Sequence, residues 1–399
     1  MPMRILFLTP ELPHPAASGG TIKSAAVLRY LKGRHTVDLM CLRRGELSPE
    51  QAAWTAEMGE VVTVGFHRER SAATLLRSYA TRVPLSIERN RSATLARLVT
   101  DRLARGRYDA VYVDGWLMAQ YLPDGFRGLR VLHEHNAEHV MWQRQAGFET
   151  NLVRREIVRK EAERVRRYEA SLLRRFDVVF AVSEPDRRAL LDLESRPTRV
   201  EVLSNVPDSA LLDRAALSPS HAEPMLLYLA TLSWQPNLHG LQLFLKDAFP
   251  RIRERLPGLR FIVAGRGATP GLAKLAARIR GVELIGDVGD PEPLYRRARA
   301  FVEVARGGSG TRLKVLNALA RGLPVVTTPE GAEGLEIRPG RHALVGGTVA
   351  ETVDAVVRVM TDDAAWTALA EHGRRLICER YVPEVAFTGL DDVFPSRPG

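Results

Sequence analysis

The sequence predicts an α/β protein made of two doubly wound domains. Three observations lead to this prediction. Short apolar runs alternate with amphipathic stretches from one end of the chain to the other, which is the pattern of strand–helix–strand units in parallel sheets. The 399 residues are enough for about two to three domains. A polar segment near the middle of the chain separates two such series of almost equal length.

The elements follow from the positions of these runs. Strands are predicted in the first half at 4–8, 36–42, 60–64, 109–113, 130–133, 177–182 and 199–203. The second half repeats the pattern, with strands at 225–230, 260–264, 282–285, 300–304 and 324–327. Helical patterns lie between the strands, for example at 20–31, 93–103 and 185–193.

The domain boundary is expected where the strand at 199–203 gives way to Ser-Asn-Val-Pro-Asp at 204–208 and then to the polar segment 218–224. A linker near 205–222 therefore divides the chain into domains at 1–205 and 206–380, followed by a C-terminal segment at 381–399. No short repeat of fixed period is visible, which argues against a solenoid or a propeller.

The composition excludes several classes of protein. Hydrophobic residues make up 45% and charged residues 26%, which is typical of a globular chain and excludes a disordered or fibrous one. Cys41 and Cys378 are too few for a disulfide framework or a four-cysteine zinc site. With no apolar run of membrane-spanning length, we expect a cytoplasmic protein. The net charge of +10 suggests phosphorylated or other anionic ligands, and the absence of aromatic–basic motifs argues against nucleic acid.

The segment 154–175 is predicted to be a long, strongly basic helix. One interpretation is a solvated helix with a single buried stripe and several charge pairs between successive turns. The alternative is a basic face that contacts anionic lipid at the inner membrane face or holds an acidic acceptor.

Two segments of the first half are candidate ligand sites. Gly19 and Gly20 follow the first strand and open a helix, where backbone amides and the positive helix end can approach an anion. The segment 132–139 holds three histidines and two carboxylates, but it lacks the His-Glu-x-x-His helical spacing, so we expect no metal there. A histidine at a strand end, here His135, suits hydrogen bonding or proton transfer to a ligand, whereas His133 and His139 also fit structural roles.

The most informative segment is 306–327. Its glycines follow a strand and are expected to expose backbone amides at the start of the next helix, where Arg312 and Lys314 add positive charge. This combination favours a bound phosphate. The segments 230–237, 263–267 and 284–290 also follow strands, although each of them alone is typical of an ordinary loop between a strand and a helix.

In their order along the chain, these segments resemble the retaining glycosyltransferases of family 4, which have the GT-B fold. The resemblance rests on Gly19-Gly20, His135, Ala-Thr-Leu-Ser-Trp-Gln-Pro-Asn at 230–237, Ala-Gly-Arg-Gly at 264–267, Gly-Asp-Val at 286–288 and Gly-Ser-Gly-Thr-Arg-Leu-Lys-Val-Leu at 308–316. It covers nearly the whole chain. It implies two Rossmann-like domains facing a cleft, with a last helix at about 383–394 that crosses back to the first domain.

The resemblance also implies roles for individual residues. The donor phosphates would be bound by Gly19, Gly20, Gly308, Ser309, Gly310, Thr311, Arg312 and Lys314. The nucleotide and its ribose would be bound by Thr231, Asn237, Gly265, Asp287, Val288 and Asn317. His135 would be the catalytic residue near the transferring sugar, and the first domain would bind the acceptor.

The implied function is transfer of a sugar from a nucleotide diphosphate sugar to an acceptor hydroxyl, with retention at the anomeric carbon. The acceptor would be a small molecule, a glycan or a lipid-linked intermediate, in polysaccharide, glycolipid or secondary-metabolite biosynthesis. No metal or cofactor is expected, since helix-end amides and cations can stabilise the leaving diphosphate and the chain has no Asp-x-Asp pair.

The chain departs from the family pattern at four positions. Ser309 and Asn317 stand where the family commonly has two glutamates, and Thr231 and Asn237 stand where it often has a basic pair. Two alternatives therefore stay open: a nucleotide-sugar epimerase or hydrolase of the same fold, and a non-catalytic binding protein.

Overall fold

The computed structural model describes residues 2–16, 19–68, 70–149, 151–193, 199–307 and 310–395. These residues form two compact units. The first unit holds the described residues up to Ser204 together with those from Ala386 onward, and the second unit is Asn205–Val385. The chain thus passes from the first unit to the second one residue before the predicted boundary, and its last part belongs to the first unit.

A parallel sheet of seven strands forms the centre of the first unit. Its strands are β1 (Arg4–Thr9), β2 (Thr36–Arg43), β3 (Val61–Gly65), β4 (Ala110–Asp114), β5 (Leu129–His133), β6 (Val178–Ala181) and β7 (Arg199–Val202). Their order across the sheet is β3-β2-β1-β4-β5-β6-β7, and neighbouring strands run parallel. This is the predicted doubly wound arrangement.

Helices cover this sheet. They are α1 (Gly19–Lys32), α2 (Pro49–Glu57), α3 (Ala72–Thr81), α4 (Leu85–Glu88), α5 (Ala93–Arg105), α6 (Glu138–Phe148), α7 (Leu152–Leu173) and α8 (Glu184–Leu191), with a 3-10 turn at Trp116–Tyr121. The central strand β1 is an apolar run that is buried on both faces, and its Phe7 stacks on Tyr112 of β4 with ring centres 4.8 Å apart.

The second unit has a parallel sheet of six strands. They are β8 (Met225–Leu229), β9 (Arg260–Ala264), β10 (Val282–Ile285), β11 (Ala300–Glu303), β12 (Val325–Thr327) and β13 (Leu344–Val345), in the order β10-β9-β8-β11-β12-β13. Its helices are α9 (Gln235–Leu243), α10 (Phe249–Arg255), α11 (Pro270–Ala277), α12 (Glu292–Arg297), α13 (Leu313–Arg321), α14 (Pro329–Ala332), α15 (Val349–Thr361) and α16 (Asp363–Arg380). Short 3-10 turns lie at Ser209–Leu211 and Pro219–His221, and a π-helix at Phe244–Ala248 joins α9 to α10.

The order of the strands reverses at one place in each sheet. That place lies between β1 and β4 in the first unit and between β8 and β11 in the second. In open parallel sheets, ligands bind outside the carboxyl ends of the strands at such a switch point. A ligand-binding site is therefore expected at the loops that follow β1, β4, β8 and β11.

The predicted strands all occur in the structure, with ends displaced by at most one residue. The two-residue strand β13 was not predicted, because so short a run carries no apolar pattern. The single helix expected at 383–394 is wrong in detail: the segment forms α17 (Pro383–Ala386) and α18 (Thr388–Val393). Between them Phe387 is fully buried and packs edge-on against Tyr30 of α1, with ring centres 5.5 Å apart.

Helix α7 corresponds to the predicted basic helix. Its buried stripe includes Val165, Glu169 and Leu172. On its outer side Arg159 pairs with Glu156 over 2.8 Å, and equivalent pairs recur along the helix. These features match the interpretation as a solvated helix with one buried stripe. Among the described residues, no helix combines the length and apolar character needed to cross a bilayer.

Candidate functional site

Lys314, near the start of α13, is surrounded by polar groups at the switch point of the second unit. Its Nζ lies 2.7 Å from Oε2 of Glu303 and donates to Oδ1 of Asn237 over 2.8 Å. The same ammonium lies 4.8 Å from the centre of the Tyr228 ring, a cation–π distance. Glu303 ends β11 and Tyr228 lies in β8, so the order of the sheet brings these groups together.

The electrostatics of this group suit an anionic ligand. Burial lowers the pKa of Lys314, while the adjacent Glu303 carboxylate opposes that shift by favouring the charged ammonium. The Glu303 side chain is completely buried, whereas 16% of the Lys314 side chain is exposed. Oε1 of Glu303 also accepts a hydrogen bond from the backbone N–H of Ala305 over 2.8 Å. The carboxylate is therefore fixed in place and holds a cation that solvent or a ligand can reach.

The loop before α13 is shaped by glycines and by Arg312. Gly307 and Gly310 have φ of +74° and +76°, in the left-handed region that favours glycine. The buried guanidinium of Arg312 donates to the carbonyl oxygens of Gly307 over 2.7 Å and of Gly310 over 3.2 Å. In this structure Arg312 thus holds the loop, and its predicted contact with a phosphate stays a prediction. Gly308 and Ser309, also predicted for the phosphates, lie outside the described residues.

Two other predicted residues hold the beginning of the second unit. The Thr311 hydroxyl accepts a hydrogen bond from the side-chain amide of Asn205 over 2.6 Å. Oδ1 of Asn317 accepts one from the backbone N–H of Asp208 over 3.0 Å. Asn317 therefore has a structural partner at the position where the family pattern places a glutamate.

The remaining nucleotide candidates lie in the loops after β8, β9 and β10 and in the first turn of α9. Gly265 follows β9 with φ of +142°, and a Cβ there would lie 1.8 Å from the carbonyl oxygen of Ala230. The side-chain amide of Asn237 donates to the backbone carbonyl of exposed Thr231 over 3.0 Å. Asp287 and Val288 follow β10, where Asp287 is exposed and Val288 packs on the core.

Asp114 is the centre of the polar group in the first unit. It ends β4 and is completely buried. Its Oδ1 lies 2.7 Å from Nε2 of His135 and 3.3 Å from Nδ1 of His133. Its Oδ2 accepts hydrogen bonds from the hydroxyl of Thr9, over 3.0 Å, and from the hydroxyl of Ser24. Since Thr9 ends β1, this group lies at the switch point of the first sheet.

The charges of this group can be assigned from its surroundings. Burial by itself would raise the pKa of Asp114, but the neighbouring His135, which hydrogen-bonds it, and the nearby His133 hold it well below its usual range. Burial lowers the pKa of His133 to about 3, so this imidazole is neutral near physiological pH. His135 is the accessible member, with 25% of its side chain exposed. A buried carboxylate thus orients a histidine that a ligand can reach.

Gly20 brings the glycine pair to the same place. A Cβ on Gly20 would lie 3.8 Å from Nδ1 of His135, so the start of α1 borders the imidazole ring. The Ser24 hydroxyl also contacts the Gly20 carbonyl over 2.8 Å. The structure therefore joins Gly20 and His135, which the sequence presents as two separate candidates. Gly19 begins α1 immediately before Gly20.

The other histidines of this segment have structural roles. His139 is buried, and its Nδ1 lies 2.5 Å from Oε2 of Glu169, which also accepts from the backbone N–H of His139.

Among the described residues, Asp114, His133 and His135 are the one group with a metal-binding composition, with ligand atoms within 4.8 Å of one another. In this structure Nε2 of His135 and Oδ1 of Asp114 are hydrogen-bond partners, and the expected absence of a metal stays a prediction.

Several residues of these groups were not predicted from the sequence. They are Thr9, Ser24 and Asp114 in the first unit and Asn205, Tyr228 and Glu303 in the second. A signal existed for Asp114 and Glu303, since each is a carboxylate at the carboxyl end of an apolar strand. The hydroxyls and the asparagine carried none, because their roles depend on which strands and helices lie beside them.

The chain is similar to known families over most of its length. Residues 23–210 match the family described as Glycosyltransferase Family 4, and residues 223–362 match the family described as Glycosyl transferases group 1. A curated relative, an uncharacterized 44.6 kDa protein in the cps region of Klebsiella pneumoniae, is 23% identical over 171 residues. That match covers 41% of this chain and 44% of the relative, so the chain spans less than half the length of that protein.

Solved structures share the fold along the entire chain. HepE of Anabaena, in complex with UDP and glucose, superposes with a TM-score of 0.68 at 15% identity and covers 99% of this chain and 100% of its own. TarM of S. aureus, in a complex that includes UDP, gives 0.69 at 11% identity, with 99% and 100% coverage. Sucrose-phosphate synthase of Thermosynechococcus elongatus gives 0.69 at 15% identity, with 98% of both chains covered. At these identities the similarity shows the fold, and the predicted pair of Rossmann-like domains is confirmed.

Proposed function

The chain belongs to the family 4 and group 1 glycosyltransferases, and from this premise we propose that it transfers a sugar from a nucleotide diphosphate sugar to an acceptor hydroxyl with retention at the anomeric carbon. The observation that carries the proposal is the Lys314 group at the switch point of the second unit. It combines an accessible ammonium, a fixed carboxylate partner and a glycine-rich loop that opens α13. A diphosphate needs these features, since its negative charge grows as the sugar leaves.

In the proposed reaction the acceptor oxygen forms a bond to the anomeric carbon while the bond from that carbon to the diphosphate oxygen breaks. The electron pair of the broken bond leaves with the nucleoside diphosphate, which also takes the proton of the acceptor hydroxyl. Lys314 and the amides at the start of α13 stabilise the charge that develops on the diphosphate. Arg312 acts through the loop whose carbonyls it holds.

The first unit supplies the acceptor side of the proposal. His135 is proposed to hydrogen-bond the transferring sugar or the acceptor hydroxyl, and Asp114 fixes the orientation of its ring over the 2.7 Å contact. Gly20 leaves room beside Nδ1 of that ring, where a side chain would meet it. We name no protein nucleophile.

A thermal-shift screen with UDP, GDP, dTDP, ADP and CDP, each with and without magnesium, tests the donor site. A nucleotide at about 100 times its dissociation constant adds roughly 2.7 kcal/mol, which should raise the midpoint by about 5–10 °C in a domain of this size. We expect one nucleotide to act with or without magnesium, since Lys314 and the helix amides provide the positive charge. If none of the nucleotides shifts the midpoint, the donor site is wrong. The nucleotide that acts then selects the sugars to test as donors.

One observation favours a second candidate, a binding protein without turnover. Oδ1 of Asn317 is engaged by the backbone of Asp208, in a position where the family pattern places a carboxylate. Release of the nucleoside diphosphate from the selected donor, measured with a panel of hydroxyl acceptors, separates the two. Turnover supports the transferase, whereas binding of the donor without release supports the binding protein.

A further inference from the structure

A groove of about 400 Å³ opens on the first unit, and part of its wall comes from the segments that follow β4 and β5. Trp116, on its wall, follows Asp114 by two residues, and Glu138 follows His135 by three. The side-chain amide of Asn136, between the two, donates to Oε1 of Glu138 over 3.3 Å. The segments that follow the carboxyl ends of β4 and β5 therefore contribute to the wall of this groove.

The walls of the groove are mostly apolar. Trp116 and Leu117 come from the turn after β4, Trp142 from α6, Tyr79 from α3 and Ile157 from α7. More than half of the side chains of Tyr79 and Ile157 are exposed, which is unusual for large apolar groups in a concave surface. The groove thus offers a hydrocarbon chain an apolar path, with Trp116 and Glu138 on its wall two and three residues after Asp114 and His135 of the proposed acceptor site.

The charges at the groove are predominantly positive. Arg68 and Arg89 line it, and within the described chain neither guanidinium forms an ion pair, while Nη2 of Arg68 donates to Oδ1 of Asn90 over 3.2 Å. The two acidic side chains on the wall do not offset this charge. Glu161 is paired with Arg164 over 2.7 Å, and burial, together with Glu169, raises the pKa of Glu138 to about 8.

More cations surround Arg68. Burial lowers the pKa of Arg68, and the nearby charges of Arg44, Arg70 and Arg89 lower it further, while Glu11 opposes the shift. Such mutual repulsion is relieved when an anion binds among the guanidinium groups. Arg164 does not add to the positive charge available to a ligand, because its guanidinium hydrogen-bonds the backbone carbonyls of Ser78 and Val83 and the carboxylate of Glu161.

We propose that this groove binds the lipid part of an amphipathic acceptor, a long-chain alkyl or isoprenoid phosphate or diphosphate that carries the hydroxyl to be glycosylated. The hydrocarbon chain lies on Trp116, Trp142 and Ile157, and the phosphate lies between Arg68 and Arg89. This assignment rests on the proposed function and specifies its acceptor class. The apolar wall favours an acceptor with a hydrocarbon chain over a wholly polar one. Arg68 and Arg89, which form no ion pair with the described residues, favour an anionic headgroup over a neutral lipid.

The test uses the full chain and farnesyl diphosphate as a probe, and follows the tryptophan fluorescence of the protein, to which Trp116 and Trp142 on the groove wall contribute two of five tryptophans. Farnesol and inorganic diphosphate, which each carry one half of the probe, should bind at least about tenfold more weakly than the whole. The double variant R68Q/R89Q should weaken binding of the probe about tenfold or more, because charge-assisted hydrogen bonds are lost. The matched control is R97Q, an exposed arginine on α5 away from the groove, which should bind as the original protein does.

A second pair of variants tests the apolar wall and does not depend on the arginines. Ile157 lines the groove, whereas Val153 lies one turn earlier on α7, outside it, and both are more than half exposed. Ile157→Glu should weaken the probe about tenfold or more, and Val153→Glu should leave it unchanged. Circular dichroism should show unaltered secondary structure in both, since each side chain faces solvent.

Three results would overturn the proposal. Inorganic diphosphate that binds as tightly as farnesyl diphosphate would indicate a simple anion site. Unchanged binding in R68Q/R89Q and I157E would place the probe elsewhere. Equal losses in I157E and V153E, accompanied by loss of binding to vesicles of phosphatidylcholine and phosphatidylglycerol in about equal parts, would indicate a bilayer contact in place of a bound lipid molecule.

The thermal-shift screen with nucleotides distinguishes failure of the lipid site from failure of the proposed function. The nucleotide that raises the midpoint should leave the affinity for farnesyl diphosphate unchanged, because the two ligands use different units. A nucleotide that displaces the probe would overturn the groove as its site. If no nucleotide shifts the midpoint while the probe binds in the expected pattern, the transferase proposal fails and the lipid site stands.

Discussion

Replacing both members of the Glu303–Lys314 pair should destabilise the second unit by clearly less than the sum of the two single replacements. The two charged atoms are 2.7 Å apart, and the carboxylate is completely buried. At an effective dielectric constant of about 20, this separation corresponds to a gross attraction of about 6 kcal/mol. Loss of one partner from a buried pair typically costs about 3–5 kcal/mol, because the other charge stays buried without compensation.

The variants can be chosen to preserve shape. Lys314→Met keeps an unbranched chain without charge, and Glu303→Gln keeps the planar group. In Glu303→Gln, Oε1 must keep accepting from the N–H of Ala305, so the new amide N–H₂ would face the ammonium of Lys314, and both groups are donors. We therefore expect each single variant to lose about 3–5 kcal/mol of unfolding free energy. The double variant should lose at least about 2 kcal/mol less than the sum of the two.

The assay is urea unfolding near neutral pH, followed by hydrogen exchange of peptides from β11 and α13, which reports on the second unit by itself. A suitable control is Arg255→Gln, since its partner Asp354 forms a surface pair with it and both are at least half exposed. That change should alter stability by about 0.5 kcal/mol or less. Additive losses in the double variant, or single losses under about 1 kcal/mol, would refute the reasoning. In that case Lys314 would not depend on Glu303 for its position.

Three further predictions concern the other groups. Asp114→Asn should lower kcat about 10- to 100-fold with the donor chosen by the nucleotide screen, because it removes the charge that orients His135. The affinity for the nucleotide should not change. Equal losses in kcat and in nucleotide affinity would contradict a positioning role. Burial raises the pKa of Glu138 in the folded protein to about 8, whereas in the unfolded chain it is about 4.3. Between these two pH values the folded protein therefore keeps a proton that the unfolded chain has released. The unfolding free energy should therefore fall as pH rises between these two values, and Glu138→Gln should flatten that part of the curve; an unchanged slope in urea unfolding would contradict this assignment. Gly265→Ala should lower the unfolding free energy by about 3 kcal/mol or more, because its φ is +142° and a Cβ would lie 1.8 Å from a backbone carbonyl oxygen. The control Gly271→Ala, which has open space around it, should change the unfolding free energy little in the same measurement.

The sequence is sufficient for the strands and for the edge of each sheet where the candidate sites lie. The apolar runs predict every strand except the two-residue β13, because a strand buried on both faces must be apolar. Parallel strands place all their carboxyl ends at one edge, so the loops after them are neighbours wherever they stand in the chain. His135, Gly20 and Lys314 are predictable as site residues on this ground, because each lies in the segment that follows the carboxyl end of a predicted strand.

Only the tertiary structure decided which side chains meet. Asp114 joins Ser24, 90 residues away, because β1 and β4 are neighbours in the sheet. Lys314 reaches Asn237, 77 residues away, for the same reason in the second unit, where β8 lies beside β11. It also decided that Arg312, a predicted phosphate ligand, turns inward to the carbonyls of its own loop. Periodicity along the chain encodes burial, but hydrogen-bond partners depend on the order of the strands, which is settled when the two cores pack.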